Sequence, residues 1–113
     1  MYFSMVVSAM SPMTMEALQL LAASIKVQRL RRRWSIEELA RRVGVSHPTI
    51  INIERADPKV AIGTFLEAAV LVGVPLFDAD PLVRTRRHDR LAAELKLLPK
   101  AGRLSRVEPD DDF

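Results

Sequence analysis

A chain of 113 residues suffices for one domain with one modest core, and its 49 % apolar residues include no run long enough to cross a bilayer. The absence of cysteine excludes a disulfide scaffold and a thiolate metal site and fits a reducing cytosol; His47 and His88 lack ligand spacing, so neither metal nor other cofactor is expected. Net charge is +3 but uneven: residues 26–59 hold nine basic and four acidic side chains, 84–106 hold eight and two, and 107–113 hold four acids and no base, which suits a polyanionic partner or a merely solvated surface.

The N-terminus, MYFSMVVSAM, lacks the basic start and sustained apolar stretch of a secretory signal. Five methionines fall within the first fifteen residues, so Met10, Met13 and Met15 are alternative starts, and residues 1–11 are expected to be poorly ordered. Residues 1–13 are therefore set apart as a flexible segment. A first helix is predicted from Ser11-Pro12 or Thr14, because Ser and Thr cap helices and Pro fits a first turn. Leu18, Leu21, Ala22 and Ile25 recur at helical spacing, Leu30 extends the set, and Arg31–Arg33 suit the negative end of the helix dipole.

Ser35 opens a second helix, with Glu38 three residues on as a reciprocal cap and Leu39, Ala40 and Val43 facing inward. Gly44 follows where a positive φ is needed. Ser46 opens a third helix with Pro48 in its first turn and Ile50 and Ile53 inward; Ala56-Asp57-Pro58 ends it. A fourth helix is predicted from about Ala61 to Val72, burying Phe65, Leu66, Ala69 and Val72, and Gly73 stops it. Val74–Phe77 reads as a short fifth turn. Asp80-Pro81 then caps another helix reaching about Leu97, with Leu91, Leu95 and Leu98 on one face, before an acidic tail expected to be mobile. Residues 14–78 thus form one helical domain, and 79–113 a C-terminal helix and tail for dimer or partner docking.

Ser35–Arg55 is the most telling stretch. Two short helices that cross steeply need a small residue in the first, a sharp turn four residues later and apolar anchors on both sides. Ala40, Gly44, and Leu39, Val43, Val45, Ile50 and Ile53 meet those three demands separately. The outcome is a helix presented outward, as for a DNA major groove. A serine-histidine-aspartate set, a glycine-rich phosphate loop and paired carboxylates in a cleft are not visible in the sequence, so an enzyme is not expected.

The runs IKVQRLRRRWSIEELARRVGVSHPTIINIER and DPKVAIGTFLEAAVLVGV resemble the lambda-repressor-like helix-turn-helix family (Cro/C-repressor, XRE) over about Ile25–Val74. The resemblance implies an all-α, five-helix DNA-binding domain, here with a C-terminal helical extension, that binds double-stranded operator DNA as a homodimer. It implies an ion pair between Arg29 and Glu54, which builds scaffold and does not read bases. It places base reading on His47, Pro48, Thr49 and Asn52; Asn52 suits adenine and Thr49 a thymine methyl or a phosphate. Phosphate contacts would come from Ser35, Ser46, Arg55 and Lys59, with Arg41 and Arg42 adding field. The alternative is that these are simply exposed helix residues.

Three positions depart from the family. Ile36 stands where Gln buttresses the recognition helix and binds phosphate. Arg33 stands before Trp34 where Gly is frequent, and a left-handed Arg33 carries about 1 kcal/mol of strain. Ala61 replaces a Ser or Thr cap. Trp34 reads as a core plug.

The stretch DPKVAIGTFLEAAVLVGVPLFDADP looks like HipB-type antitoxins. That resemblance implies a cytoplasmic, autorepressing regulator with a HipA-type kinase toxin as second partner, docked on the helix at 81–98 and the tail; those leucines equally suit a core or a dimer seam. No membrane partner is expected. The competing function is a protein-interaction adaptor with weak or no operator binding, favoured slightly by Ile36, Pro48 and Ile51.

Overall fold

The structure, a computed structural model, describes residues 10–100. The acidic tail and most of the N-terminal segment lie outside the described residues. Five helices and no strand occur among those described: α1 Pro12–Arg31, α2 Ile36–Val43, α3 His47–Glu54, α4 Ile62–Leu71 and α5 Pro81–Leu97. The chain divides into two compact units, one up to Leu76 and the other from Phe77. Among the described residues no helix is long and apolar enough to cross a membrane.

In the first unit, α1 begins when the Ser11 side chain accepts a hydrogen bond from the Thr14 amide at 3.2 Å, with Pro12 in the first turn. Helix therefore takes in Pro12 and Met13, two residues inside the boundary drawn at 13. Ala22 and Ile25 are buried, and Leu18 and Leu21 pack against the core. Leu30 departs from expectation: it is 54 % exposed, because Arg29, its neighbour, takes the inward position at that end of the helix.

The core joins that face of α1 to Leu39 and Ala40 of α2, Ile50 and Ile53 of α3, Ala56, and Phe65, Ala68, Ala69 and Val72 around α4. Leu66 is only half-buried, and Ala68 takes the inner place expected of it. Ile25, Leu39, Ile50, Ile53 and Val72 are fully enclosed. Each such side chain contributes about 1.5–3 kcal/mol by leaving water.

The four helices described in this unit close in the same manner. A residue just past the end turns left-handed: Arg33 (φ 59°), Gly44 (84°), Ala56 (59°) and Gly73 (87°). The next amide then reaches back to a carbonyl five residues earlier, Trp34 to Arg29, Val45 to Ala40, Asp57 to Asn52 and Val74 to Ala69, at 2.8–3.1 Å. This satisfies carbonyls a helix end would orphan. Two of the four closures use residues that carry a Cβ.

The second unit opens with Phe77, which is left-handed (φ 64°), so Val74–Phe77 is not the short helical turn expected there. The Asp80 carboxylate accepts from the Leu82 amide at 2.9 Å, capping α5 ahead of Pro81. The Arg84 guanidinium donates to the carbonyls of Asp78 and Ala79 at 2.7 and 3.0 Å. No residue of α5 is buried.

Candidate nucleic-acid interface

The geometry starts from the two serine caps. Ser35 Oγ accepts from the Glu38 amide at 3.0 Å and starts α2; Ser46 Oγ accepts from the Thr49 amide at 3.3 Å and starts α3. Gly44 lies between them, and its left-handed φ of 84° lets the chain reverse within three residues of Val43. Ala40 is 4 % exposed, small enough for α3 to approach closely.

Glu38 does not return to the Ser35 amide, so the reciprocal cap is only half made. Its carboxylate accepts instead from Arg41 and, at 2.6 Å, from Arg42, which sit one turn on. Two charge-assisted bonds outcompete one neutral amide. Partial burial tends to raise the Glu38 carboxyl, but the hydrogen bonds and charges of Arg42 and Arg41 outweigh it and hold the group below its ordinary value. The Arg42 guanidinium also stacks 4.0 Å from the Trp34 ring centre, and Arg32 lies 5.8 Å from it. Trp34 is half-buried against the core, with cations over its open face.

α3 is held from behind. Arg29 Nε donates to Glu54 Oε2 at 2.7 Å and Nη2 to Oε1 at 3.0 Å, a two-pronged pair in which both side chains are 7 % exposed. Arg29 Nη1 also donates to the Trp34 carbonyl at 2.9 Å. One guanidinium thus ties α1 to the end of α3 and to the α1–α2 turn. Ile50 and Ile53 anchor the same helix at zero exposure.

That anchoring decides which residues look outward. His47 and Pro48 are exposed; Thr49 and Asn52 are half-buried. Thr49 Oγ1 lies 2.9 Å from Ser46 Oγ, so its hydroxyl is engaged with the cap and its methyl is the freer group. The outward arc at helical spacing runs His47, Ile51, Arg55, with Pro48 and Asn52 beside it. Ile51, absent from the base-reading positions to which the family resemblance points, stands in the middle of that arc and is half-buried. Its spacing of four from both His47 and Arg55 is the signal that reveals it.

Thr49 and Asn52 also line a shallow hollow of about 450 Å³ with Val45, Asp57, Lys59, Val60, Ala61 and Thr64. Asp57 Oδ1 accepts from the Lys59 amide at 2.9 Å, which shapes the loop along this hollow. α4 begins on its rim at Ala61 without any side-chain cap. A bare helix start beside Lys59 suits a phosphate oxygen. Arg55 and Lys59 are exposed; the exposed Ser35 and Ser46 have hydroxyls already occupied as caps, so an anion there would meet the helix-start amides as much as the hydroxyls. Ile36 is half-buried against the core, which gives it a packing role where the family has a polar contact.

Residues 25–78 match the family model described as Helix-turn-helix. Neither a curated protein nor a solved structure matches the chain. The crossing of α2 and α3, the left-handed turn at Gly44 and the buried Arg29–Glu54 pair agree with the family match, and the all-α fold of these residues is lambda-repressor-like.

Proposed function

We propose that this chain is a sequence-specific, DNA-binding transcriptional regulator that works in the cytoplasm and engages operator DNA as a homodimer. α3 lies in the major groove. Asn52 pairs with an adenine edge, the Thr49 methyl and Ile51 meet thymine methyls, and His47 and Pro48 complete the reading face. Arg55, Lys59 and the starts of α2, α3 and α4 hold phosphates. The observation that carries this reading is the pairing of an outward arc on α3, exposed at His47, Pro48 and Arg55, with a rigid inner face, Ile50, Ile53 and the Arg29-bound Glu54. A helix that reads bases must be immobile behind and unoccupied in front.

The second copy docks through α5. Leu91, Leu95 and Leu98 are 52, 70 and 55 % exposed and fall on one face. Arg87 and Glu94 flank that face on one side. The finer role is that of an autorepressing antitoxin that neutralises a HipA-type kinase toxin, with the docking surface on α5 and the tail. The stretch from Asp57 to Pro81, which resembles HipB-type antitoxins, supports it.

Footprinting upstream of the chain's own gene, with and without a co-purified partner, tests both levels. A protected palindrome is expected. Asn52→Ala weakens its protection by roughly ten- to a hundred-fold, the worth of one bidentate base contact. Unchanged low-salt affinity in Asn52→Ala and Arg55→Ala would favour the adaptor reading instead. A neighbouring reading frame that encodes no kinase removes the antitoxin role and leaves the regulator.

A further inference from the structure

α5 divides along its length. Residues 84–90 read RTRRHDR, with four arginines and one acid, and residues 91–98 read LAAELKLL. The four arginines differ in what they do. Arg84 is spent on the carbonyls of Asp78 and Ala79. Arg87 lies over the Phe77 ring, 5.3 Å from its centre. Arg86 and Arg90, one turn apart and exposed, have neither an ion pair nor a hydrogen bond among the described residues, and Asp89 between them pairs with neither. Like charges at a spacing of four repel along a helix, and with the neighbouring acids Asp89 and Glu94 paired to neither arginine an outside anion relieves that repulsion. By helical spacing Arg86 projects nearly opposite the Leu91–Leu95–Leu98 face and Arg90 to the side of it, next to Glu94, so a second copy seated on the leucines leaves Arg86 open and Arg90 at its edge.

We infer that Arg86 and Arg90 grip the phosphate backbone of duplex DNA, a contact additional to that of α3; this rests on the DNA-binding reading above. With its 17 residues α5 is about 26 Å long, the rise of roughly eight base pairs, so it can follow one flank of a site. The contact carries charge without base edges and adds affinity to any sequence equally. An anionic lipid surface shares the phosphate chemistry but fits less well. Leu82 and Leu97 stand on the same side of the helix as Arg86 and Arg90, and apolar and basic residues are segregated along the axis. A helix lying in a membrane interface needs them segregated across it.

The test is binding of the full chain to a mixed-sequence duplex over a series of salt concentrations. Arg86→Gln/Arg90→Gln lowers the slope of log affinity against log salt by about 1.8, two contacts' worth, and weakens binding roughly ten- to a hundred-fold near 0.1 M salt. Arg86→Lys/Arg90→Lys keeps the wild-type slope, and circular dichroism shows the same helix content in all three proteins. A Gln variant with the wild-type slope, while Asn52→Ala still weakens operator protection, overturns the α5 contact and leaves the function standing. A wild-type chain that binds no duplex even at the lowest salt overturns both. Binding to phosphatidylserine vesicles that depends on Arg86 and Arg90, with duplex binding unaffected, replaces DNA by a lipid surface and also overturns the inference.

Discussion

The helices of the first unit and α5 are made by different means. α1 to α4 are each closed by a left-handed residue and a long backward amide bond, and each buries at least two residues in a shared core. α5 is longer than three of them, yet it ends in an extended residue, Leu98, and buries nothing. Its order comes from local devices: the Asp80 cap, Pro81 in the first turn, and Arg84 on the carbonyls before it. The difference teaches where rigidity is needed. Short helices of eight residues, such as α2 and α3, are far below the length that holds in water alone, so tertiary packing must supply their stability. That packing also makes them fixed enough to present a reading face. α5 is long enough to form by itself and is left with its side chains free to engage something outside.

The sharpest way to break the comparison is to remove the tie that most depends on tertiary structure. Glu54→Ala leaves the Arg29 guanidinium buried with only the Trp34 carbonyl as partner. The expected cost is about 3–5 kcal/mol, a large share of a small domain's stability. Urea unfolding followed by Trp34 fluorescence measures it. A loss under 1 kcal/mol would mean that the pair is far more solvated than its geometry implies. Replacing both partners with apolar residues of similar volume should recover much of the loss, because no lone charge then remains.

The helix closures give a smaller effect of opposite signs. A Cβ at Gly44 would meet nothing within 4 Å, so Gly44→Ala carries a purely conformational cost of about 1–2 kcal/mol from its φ of 84°. Arg33→Gly releases a comparable strain at φ 59° and is expected to stabilise by up to about 1 kcal/mol. Arg33 is exposed, so little packing is lost. Thermal unfolding of the two variants in parallel reads both signs; a destabilised Arg33→Gly contradicts the strain.

These closures also mark how far the sequence was legible. Gly44 and Gly73 announce a left-handed turn, and Ser35 and Ser46 announce caps, because each residue type is chosen by local chemistry. The inner faces of α2 and α3 follow from the 3.6-residue period. Ala56 is legible as a helix end but not as a left-handed, buried one: its φ is imposed by the amide of Asp57 reaching Asn52, and its methyl is held by the core. Glu38 escapes because a capping pattern and an i,i+4 ion pair compete for one carboxylate, and only the rotamers settle which wins. Ile51 is legible as an outward residue, which favours the adaptor reading, but its spacing also sets it in the middle of the reading arc, where it is half-buried. The loop after α4 reads as helical from its composition, but Pro75 and a left-handed Phe77 forbid a regular turn.

Glu38 sharpens the comparison through pH. Its carboxyl is held below the ordinary value of 4.5, so the folded state favours the charged form. The resulting stability is fully present above that value and is lost as pH falls through the lower, folded one. Neutral and mildly alkaline conditions leave it untouched. Both arginines are largely solvated, which places this effect below the closures in size. Glu38→Gln should therefore differ from the wild type at neutral pH and converge with it on acidification. A difference that persists at pH values well below the carboxylate range would assign the effect to packing of the side chain, with no part for its charge.

The smallest effect on folding is expected in α5, and that is its value. Leu95 is 70 % exposed, so Leu95→Ala removes little that folding had buried, and alanine is a better helix former than leucine. Unfolding of the dilute chain should shift by no more than about 0.5 kcal/mol. The same substitution on a core leucine, Leu39→Ala at zero exposure, costs about 2–5 kcal/mol. If a second copy covers the leucine face, however, Leu95→Ala acts on association: sedimentation should show the monomer–dimer midpoint moving to higher protein concentration while dilute stability stays put. Stability and association that move together would make α5 part of the folded core. Stability and association that both stay put would leave the leucine face without a second copy, and operator binding would then have to proceed from a single domain.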